Sequence, residues 1–206
     1  MNLISKIRYK VQYTFKKKVT PPPYELKQEI LNSYRESYKL NILIETGTFL
    51  GDTVEYCKRK FEKVYSIELS DDLARKAKKR FENDPNVIII QGDSGKVLKT
   101  ILKEIKEPVL FWLDGHYSSE FFVGTEFIKT ARTEIDTPIE EELTTILDSR
   151  LNHVILIDDA RLFNGQNDYP KINSIKHKVR KAKGSDYVCK VENDIIHLFP
   201  QRIDKK

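Results

Sequence analysis

The chain has 206 residues, 39% hydrophobic and 33% charged, enough for one domain with a substantial core and a heavily charged surface, and not the make-up of a disordered chain. Its two cysteines, Cys57 and Cys189, are too few for a disulfide framework or a cysteine-built zinc cluster. It has no run of about 18 apolar residues to span a bilayer and no secretory apolar core at its start, so a reducing, cytoplasmic setting is the expectation.

The net charge of +5 is concentrated at one end. Residues 1–20 hold Lys6, Arg8, Lys10, Lys16, Lys17 and Lys18 and no acid, whereas the remainder has 30 basic and 31 acidic residues. A near-neutral body argues against nucleic acid as a partner, because such a groove needs cations to displace counterions from phosphates. Within the arm, Leu3, Ile4, Ile7 and Val11 fall on one helical stripe among the cations. Such a segment suits peripheral contact with an anionic membrane. The reading put ahead of it is a solvated or locally packed extension. Pro21-Pro22-Pro23 then stops any helix and separates the arm from the body of the chain.

Residues 24–38 are helix-forming, with Leu26, Ile30, Leu31 and Tyr34 on one face. This helix, within a segment 21–40, is expected to pack across an edge of the sheet. Residues 41–46, NILIET, make a short apolar strand. It runs into Gly47-Thr48-Phe49-Leu50-Gly51-Asp52-Thr53, a glycine turn that opens a helix over 52–61. Gly47 permits dihedrals and a close approach that a side chain would block. A helix start offers unpaired N–H groups and a positive dipole end. Lys63 to Glu68, KVYSIE, is the second strand. It ends in Glu68, about 20 residues past the turn, where an acid in dinucleotide folds accepts the ribose hydroxyls. Ser70 caps the next helix, which reaches about Phe81.

Asn86 to Gln91, NVIIIQ, is the third strand, followed by Gly92-Asp93-Ser94. Asp93 can cap helix 94–105 and can face a ligand, and the two roles can coexist. The fourth strand, beginning at Val109, ends in Asp114-Gly115-His116-Tyr117. Residues 117–136 lack clean periodicity and read as a lid over an acceptor site, or as a short surface helix. Thr137-Pro138-Ile139-Glu140 has the form of a capping box with proline first, opening helix 138–149. Asn152 to Ile157 is the fifth strand and ends in Asp158-Asp159-Ala160-Arg161. Adjacent carboxylates repel and are most easily tolerated beside a cation or an arginine. A basic helix comes next, over about 170–182. Strands 186–191 and 194–199, joined by Glu192-Asn193-Asp194, then make a hairpin. His153, His177 and His197 read as structural or surface residues, and both cysteines as packed in or near the core.

Strands alternating with helices predict an α/β fold: a Rossmann-like three-layer sandwich with a mainly parallel seven-stranded sheet and a C-terminal antiparallel hairpin. Ligands of such sheets bind outside the carboxyl ends of the strands. Glu45, Glu68, Asp93 and Asp114 therefore arrive at one rim with the Asp158-Asp159 pair.

The spacing Glu45-x-Gly47-x-x-x-Gly51-x-Thr53 is not the Gly-x-Gly-x-x-Gly of nicotinamide enzymes. It resembles motif I of the Rossmann-like S-adenosylmethionine-dependent methyltransferases, whose glycine turn passes against the cofactor's amino-acid end. The resemblance implies a methyltransferase domain over 41–200. It also implies that Glu45, Thr46, Gly47, Gly51, Thr53, Glu68, Asp93 and Ser94 frame S-adenosylmethionine, with Glu68 at the ribose and Asp93 near the adenine amino group. The strings Asp-Gly-His-Tyr and Ile-Asp-Asp are similar to the metal site of the macrocin O-methyltransferase-like branch, magnesium-dependent enzymes that methylate sugar hydroxyls. This likeness covers about residues 40–170. It implies Asp114, Asp158 and Asp159 as ligands of Mg2+, with Asp114 and His116 as the catalytic residues. His116 stands where the branch has an aspartate base. Asp-Asp-Ala-Arg-Leu-Phe is not the branch's usual continuation, so a separate subfamily serving polysaccharide or lipopolysaccharide assembly is expected.

The chemistry suits these residue types. Magnesium takes oxygen ligands and lowers the pKa of a bound hydroxyl, and a histidine can take the proton. The bland alternatives are an N-cap with an Arg161 salt bridge for the aspartate pair, and a turn histidine for His116. The expected function is an O-methyltransferase acting on a sugar or glycan hydroxyl. Its rivals are a metal-independent methyltransferase of another small molecule or protein, and a non-catalytic scaffold held at a membrane by residues 1–20. Pro21-Pro22-Pro23-Tyr24 has the letters of the Pro-Pro-Tyr motif of amino-group methyltransferases, but that motif follows the fourth strand and this one precedes the first.

Overall fold

A computed structural model describes residues 21–115, 120–123, 126–129 and 136–201. The basic arm 1–20 and His116 lie outside the described residues. The strands are β1 (Ile42–Thr46), β2 (Lys63–Glu68), β3 (Val87–Gln91), β4 (Leu110–Leu113), β5 (Glu120–Val123), β6 (Glu126–Lys129), β7 (Val154–Ile157), β8 (Tyr187–Glu192) and β9 (Ile195–Pro200). The helices are α1 (Tyr24–Tyr38), α2 (Asp52–Cys57), α3 (Asp71–Arg80), α4 (Ser94–Glu104), α5 (Ile139–Leu147) and α6 (Ile172–Lys183).

Seven strands form one sheet in the order β3-β2-β1-β4-β7-β9-β8. β1 to β4 and β7 pair in parallel, and β9 runs against both β7 and β8. This is the Rossmann-like sandwich that the alternation predicts. The parallel strands are mainly apolar because helices cover both of their faces, and their polar residues gather towards the carboxyl ends. Leu43, Trp112 and Leu156 point to one face, where they meet Leu31 of α1, Val54 and Cys57 of α2 and Ala77 of α3. Ile44, Phe111 and Ile155 point to the other, with Leu98 of α4, Leu143 of α5 and Ile175 of α6. The chain steps outward from β1 to β3, then returns to lay β4 on the other side of β1. That reversal opens a crevice at the carboxyl ends of β1 and β4, the switch point where such sheets bind ligands.

Four local expectations change. α1 packs on the face of the sheet over its central strands, not across an edge, because Leu31 is drawn into the same cluster as Leu43, Trp112 and Leu156. Its far end is tied down by Tyr38, which donates to the Pro200 carbonyl at 3.0 Å. The helix after the glycine turn is short, ending at Cys57. Residues 117–136, read as a lid loop or a surface helix, contain the antiparallel pair β5–β6. The Thr137–Glu140 box does not close: the Glu140 carboxylate pairs with Lys178 of α6, and among the described residues Thr137 Oγ1 accepts the Ile139 N–H at 3.4 Å and not that of Glu140. The β8–β9 hairpin turns on Asn193 and Asp194, with φ of 54° and 59°, the two left-handed residues of a tight type I′ turn. Among the described residues no helix is long and apolar enough to cross a membrane.

Candidate functional site

The glycine turn is threaded between the ends of β2 and β4. The Gly47 N–H donates to the Ile67 carbonyl at 2.9 Å, and the Asp114 N–H donates to the Thr46 carbonyl at 3.0 Å. Gly47 has φ of +85°, and a Cβ there would stand 2.5 Å from the Asp114 carbonyl oxygen. The close approach that Gly47 permits is thus first of all to β4. Phe49 and Gly51 also have positive φ, 50° and 82°. Gly51 leads into α2 beside the Phe81 ring, which a Cβ would meet at 2.7 Å.

Glu68, at the end of β2, closes onto this turn. Its Oε2 accepts the Phe49 N–H at 2.8 Å and its Oε1 accepts the Ser70 N–H at 2.9 Å. The backbone therefore fixes the carboxylate's orientation. Beneath it runs a buried polar chain in which Thr48 pairs with Ser66 at 2.6 Å and Ser66 donates to Glu45. Burial pushes the Glu45 carboxyl up to about 8, opposed by the Ser66 hydroxyl, with Asp114 adding to the rise and the Thr53 hydroxyl opposing it. Tyr24 of α1 reaches the same Thr53 hydroxyl. Asp93 caps α4 by accepting the Gly95 N–H at 3.0 Å, which is one of its two expected roles. Ser94 is buried at the first position of α4.

Thr46 faces the opposite layer and is fully buried. Its Oγ1 and Oε1 of Glu142 are both buried and out of hydrogen-bonding geometry with any partner among the described residues. Burial raises the Glu142 carboxyl to about 7 against the pull of the nearby Ser94 and Thr46 hydroxyls. Glu142 borders a cavity of about 10 Å³ that Asp114, Thr137 and Asp158 also line, room for one water.

The ends of β4 and β7 bring Asp114 and Asp158 together with a cation of the chain's own. Lys27 of α1 forms an ion pair with Asp158 Oδ2, the two side chains being 17% and 1% exposed. Asp158 Oδ1 accepts the Asp159 N–H at 2.9 Å. Asp159 has φ of 55°, and its Oδ1 takes Arg161 Nη1 at 2.7 Å. Arg161 also pairs with Asp194. Desolvation raises the Asp158 carboxyl to about 7, with Asp114 adding to the rise and Lys27 opposing it. In this arrangement the expected magnesium ligands already face cations of the chain's own, Lys27 at Asp158 and Arg161 at Asp159. Among the described residues no group of three His, Cys, Asp or Glu side chains converges to hold a metal.

Lys27, Tyr24 and Glu142 were not among the expected site residues. Lys27 lies one turn before Leu31 on the apolar stripe of α1, and Glu142 lies between Ile139 and Ile146 on that of α5. A charge inside an apolar stripe was the available signal. His153 and His197 are buried and structural. Val109 N–H donates to His153 Nδ1 at 3.2 Å, and His197 Nδ1 pairs with the Tyr34 hydroxyl at 3.0 Å.

No protein-family model matches the sequence, and no curated protein matches it. Solved structures do match in three dimensions. An O-methyltransferase from Bacillus cereus in complex with S-adenosylhomocysteine aligns over 98% of this chain and 92% of its own, at a TM-score of 0.57 and 14% identity. The O-methyltransferase TomG from Streptomyces achromogenes, which takes part in tomaymycin synthesis and was solved with S-adenosylmethionine, aligns over 96% and 88%, at 0.54 and 17%. An rRNA methylase from Streptococcus thermophilus aligns over 89% and 99%, at 0.50 and 13%. At these identities the likeness is one of fold. The chain has the Rossmann-like methyltransferase fold.

Proposed function

We propose that the chain is an S-adenosylmethionine-dependent O-methyltransferase acting on a sugar or glycan hydroxyl. The observation that carries the reading is the Glu68 carboxylate locked onto the glycine turn by the Phe49 N–H at 2.8 Å. It makes the ribose-binding acid and the cofactor turn one unit at the switch point of the sheet. The donor set fits the cofactor. Each Glu68 oxygen spends one lone pair on a backbone N–H and keeps another for a ribose hydroxyl. The turn carries no side chain at position 47, and Asp93 stands at the next strand end. Bound there, S-adenosylmethionine would supply an electrophilic methyl group, which the acceptor oxygen takes in line as the carbon–sulfur bond breaks.

We assign removal of the hydroxyl proton to His116, two residues past Asp114. The sugar or glycan acceptor rests on the Asp-Gly-His-Tyr and Ile-Asp-Asp strings. The magnesium that those strings carry in the branch they resemble is not part of this proposal, since Lys27 holds Asp158. An RNA acceptor, which the name of the Streptococcus thermophilus neighbour brings to mind, is disfavoured by the near-neutral charge balance of residues 21–206. The test is label transfer from methyl-tritiated S-adenosylmethionine to a panel of nucleotide sugars and oligosaccharides in the presence of EDTA. The proposal expects alkali-stable label in a sugar fraction. Label found only on amines or RNA contradicts it.

A further inference from the structure

We infer that Lys27 is a built-in cation that takes the place of a divalent metal among Asp114, Asp158 and Asp159, so that the site works without a metal. The inference rests on the methyl-transfer reading for its meaning, but not for its test. Lys27 Nζ reaches Asp158 from above β7 and lies 5.8 Å from the centroid of the Trp112 ring on β4. A ring face and a carboxylate together hold an ammonium in one place. Asp114 and Asp159 lie within electrostatic reach of the same ammonium. Arg161 takes Asp159 at 2.7 Å. Lys27 and Arg161 thereby bring positive charge to this acidic cluster, Arg161 sharing its own with Asp194. The lysine's position is not left to chance. Leu31, one turn further along α1, is packed in the core, and Tyr34 and Tyr38 bond to His197 and Pro200. The helix preceding the sheet thus delivers the charge that the strand ends lack.

Removing that charge should convert the cluster into a site for a hard cation, since oxygen ligands with uncompensated charge are what Mg2+ and Mn2+ seek. The experiment is Mn2+ titration of the full chain followed by electron paramagnetic resonance, on the unaltered protein, on Lys27→Met and on Lys27→Met with Asp158→Asn. The unaltered protein is expected to leave Mn2+ free at millimolar concentration. Lys27→Met, which keeps the apolar stem, should bind it about tenfold more tightly or better, with a melting temperature that rises with Mn2+. The double variant should lose both effects. Stoichiometric Mn2+ binding by the unaltered protein, abolished by Asp158→Asn, would overturn the inference. A folded Lys27→Met that still ignores Mn2+ would overturn it too. If Lys27→Met does not fold, the unaltered protein decides: bound Mn2+ overturns the inference and free Mn2+ upholds it. S-adenosylhomocysteine titrated into the same samples reads the cofactor turn separately, so failure of the methyl-transfer reading is distinguishable.

Discussion

Replacing Gly47 with alanine loads the junction between the glycine turn and β4. The new Cβ would lie 2.5 Å from the Asp114 carbonyl oxygen and 2.9 Å from its carbon. Both are backbone atoms, so no side-chain rotation relieves the contact, and the turn or the end of β4 must move. The φ of +85° adds a left-handed penalty of about 1–2 kcal/mol for a residue with a Cβ. Overpacking against fixed neighbours costs about 1–3 kcal/mol more. The total of ~2–5 kcal/mol is a large part of the stability of a typical domain. Gly115→Ala is the comparison, because its Cβ would meet the Thr46 side chain at 3.1 Å and a loss near 1 kcal/mol is expected. Urea unfolding followed by the fluorescence of Trp112, the single tryptophan, measures both. A Gly47→Ala protein that loses less than about 1 kcal/mol and binds S-adenosylhomocysteine unchanged would show that the turn does not depend on its close approach to β4.

Glu68→Gln should weaken S-adenosylhomocysteine about 10- to 100-fold by calorimetry, since the amide sets a donor against the Phe49 or Ser70 N–H and removes a charge-assisted acceptor; unchanged affinity would place the ribose elsewhere. Glu45 titrates at about 8 when folded against 4.5 unfolded, so between those values the folded state holds a proton that the unfolded chain has released. Stability therefore falls as pH rises through that window. Glu45→Gln should gain on the unaltered protein by up to about 3 kcal/mol between pH 5 and 8, and a pH-independent difference counts against the assignment. His153 titrates at about 4 when folded against 6.5 unfolded, through burial and then the Lys183 charge. Its contribution is present at neutral pH and is lost as pH falls from 6.5 through 4. His153→Gln should flatten roughly 2–3 kcal/mol of that acid loss in urea titrations at pH 7 and 4.5; an equally steep loss would show that another group carries it.

The sheet was legible because each parallel strand is a short apolar run closed by a polar or glycine stop, and β1 to β3 each end in a turn or cap that starts a helix. The caps at Ser70 and Asp93 were legible for the same reason, since their partners are two or three residues away. The face covered by α1 was not, because a stripe of Leu31 and Tyr34 has the same period on an edge as over the centre. The β5–β6 pair escaped notice because strands of four residues are too short to show a period. The ion pair of Lys27 with Asp158 joins residues 131 apart. Local pattern carries no information at that range, beyond the oddity of a lysine on an apolar stripe. The sequence showed that the Asp158-Asp159 pair needs compensation; the fold supplies it through Arg161, the salt bridge that was the alternative to a metal, and through Lys27, which no local pattern pointed to.

The most direct measurement of the central claim is calorimetric titration of S-adenosylhomocysteine into the full chain with EDTA present. Micromolar binding, about −8 kcal/mol, is expected, and Glu68→Ala should abolish it in a protein that still unfolds cooperatively. A folded chain that gives no heat of binding, with or without added magnesium, would contradict it and leave the glycine turn as a structural joint between β1 and β4.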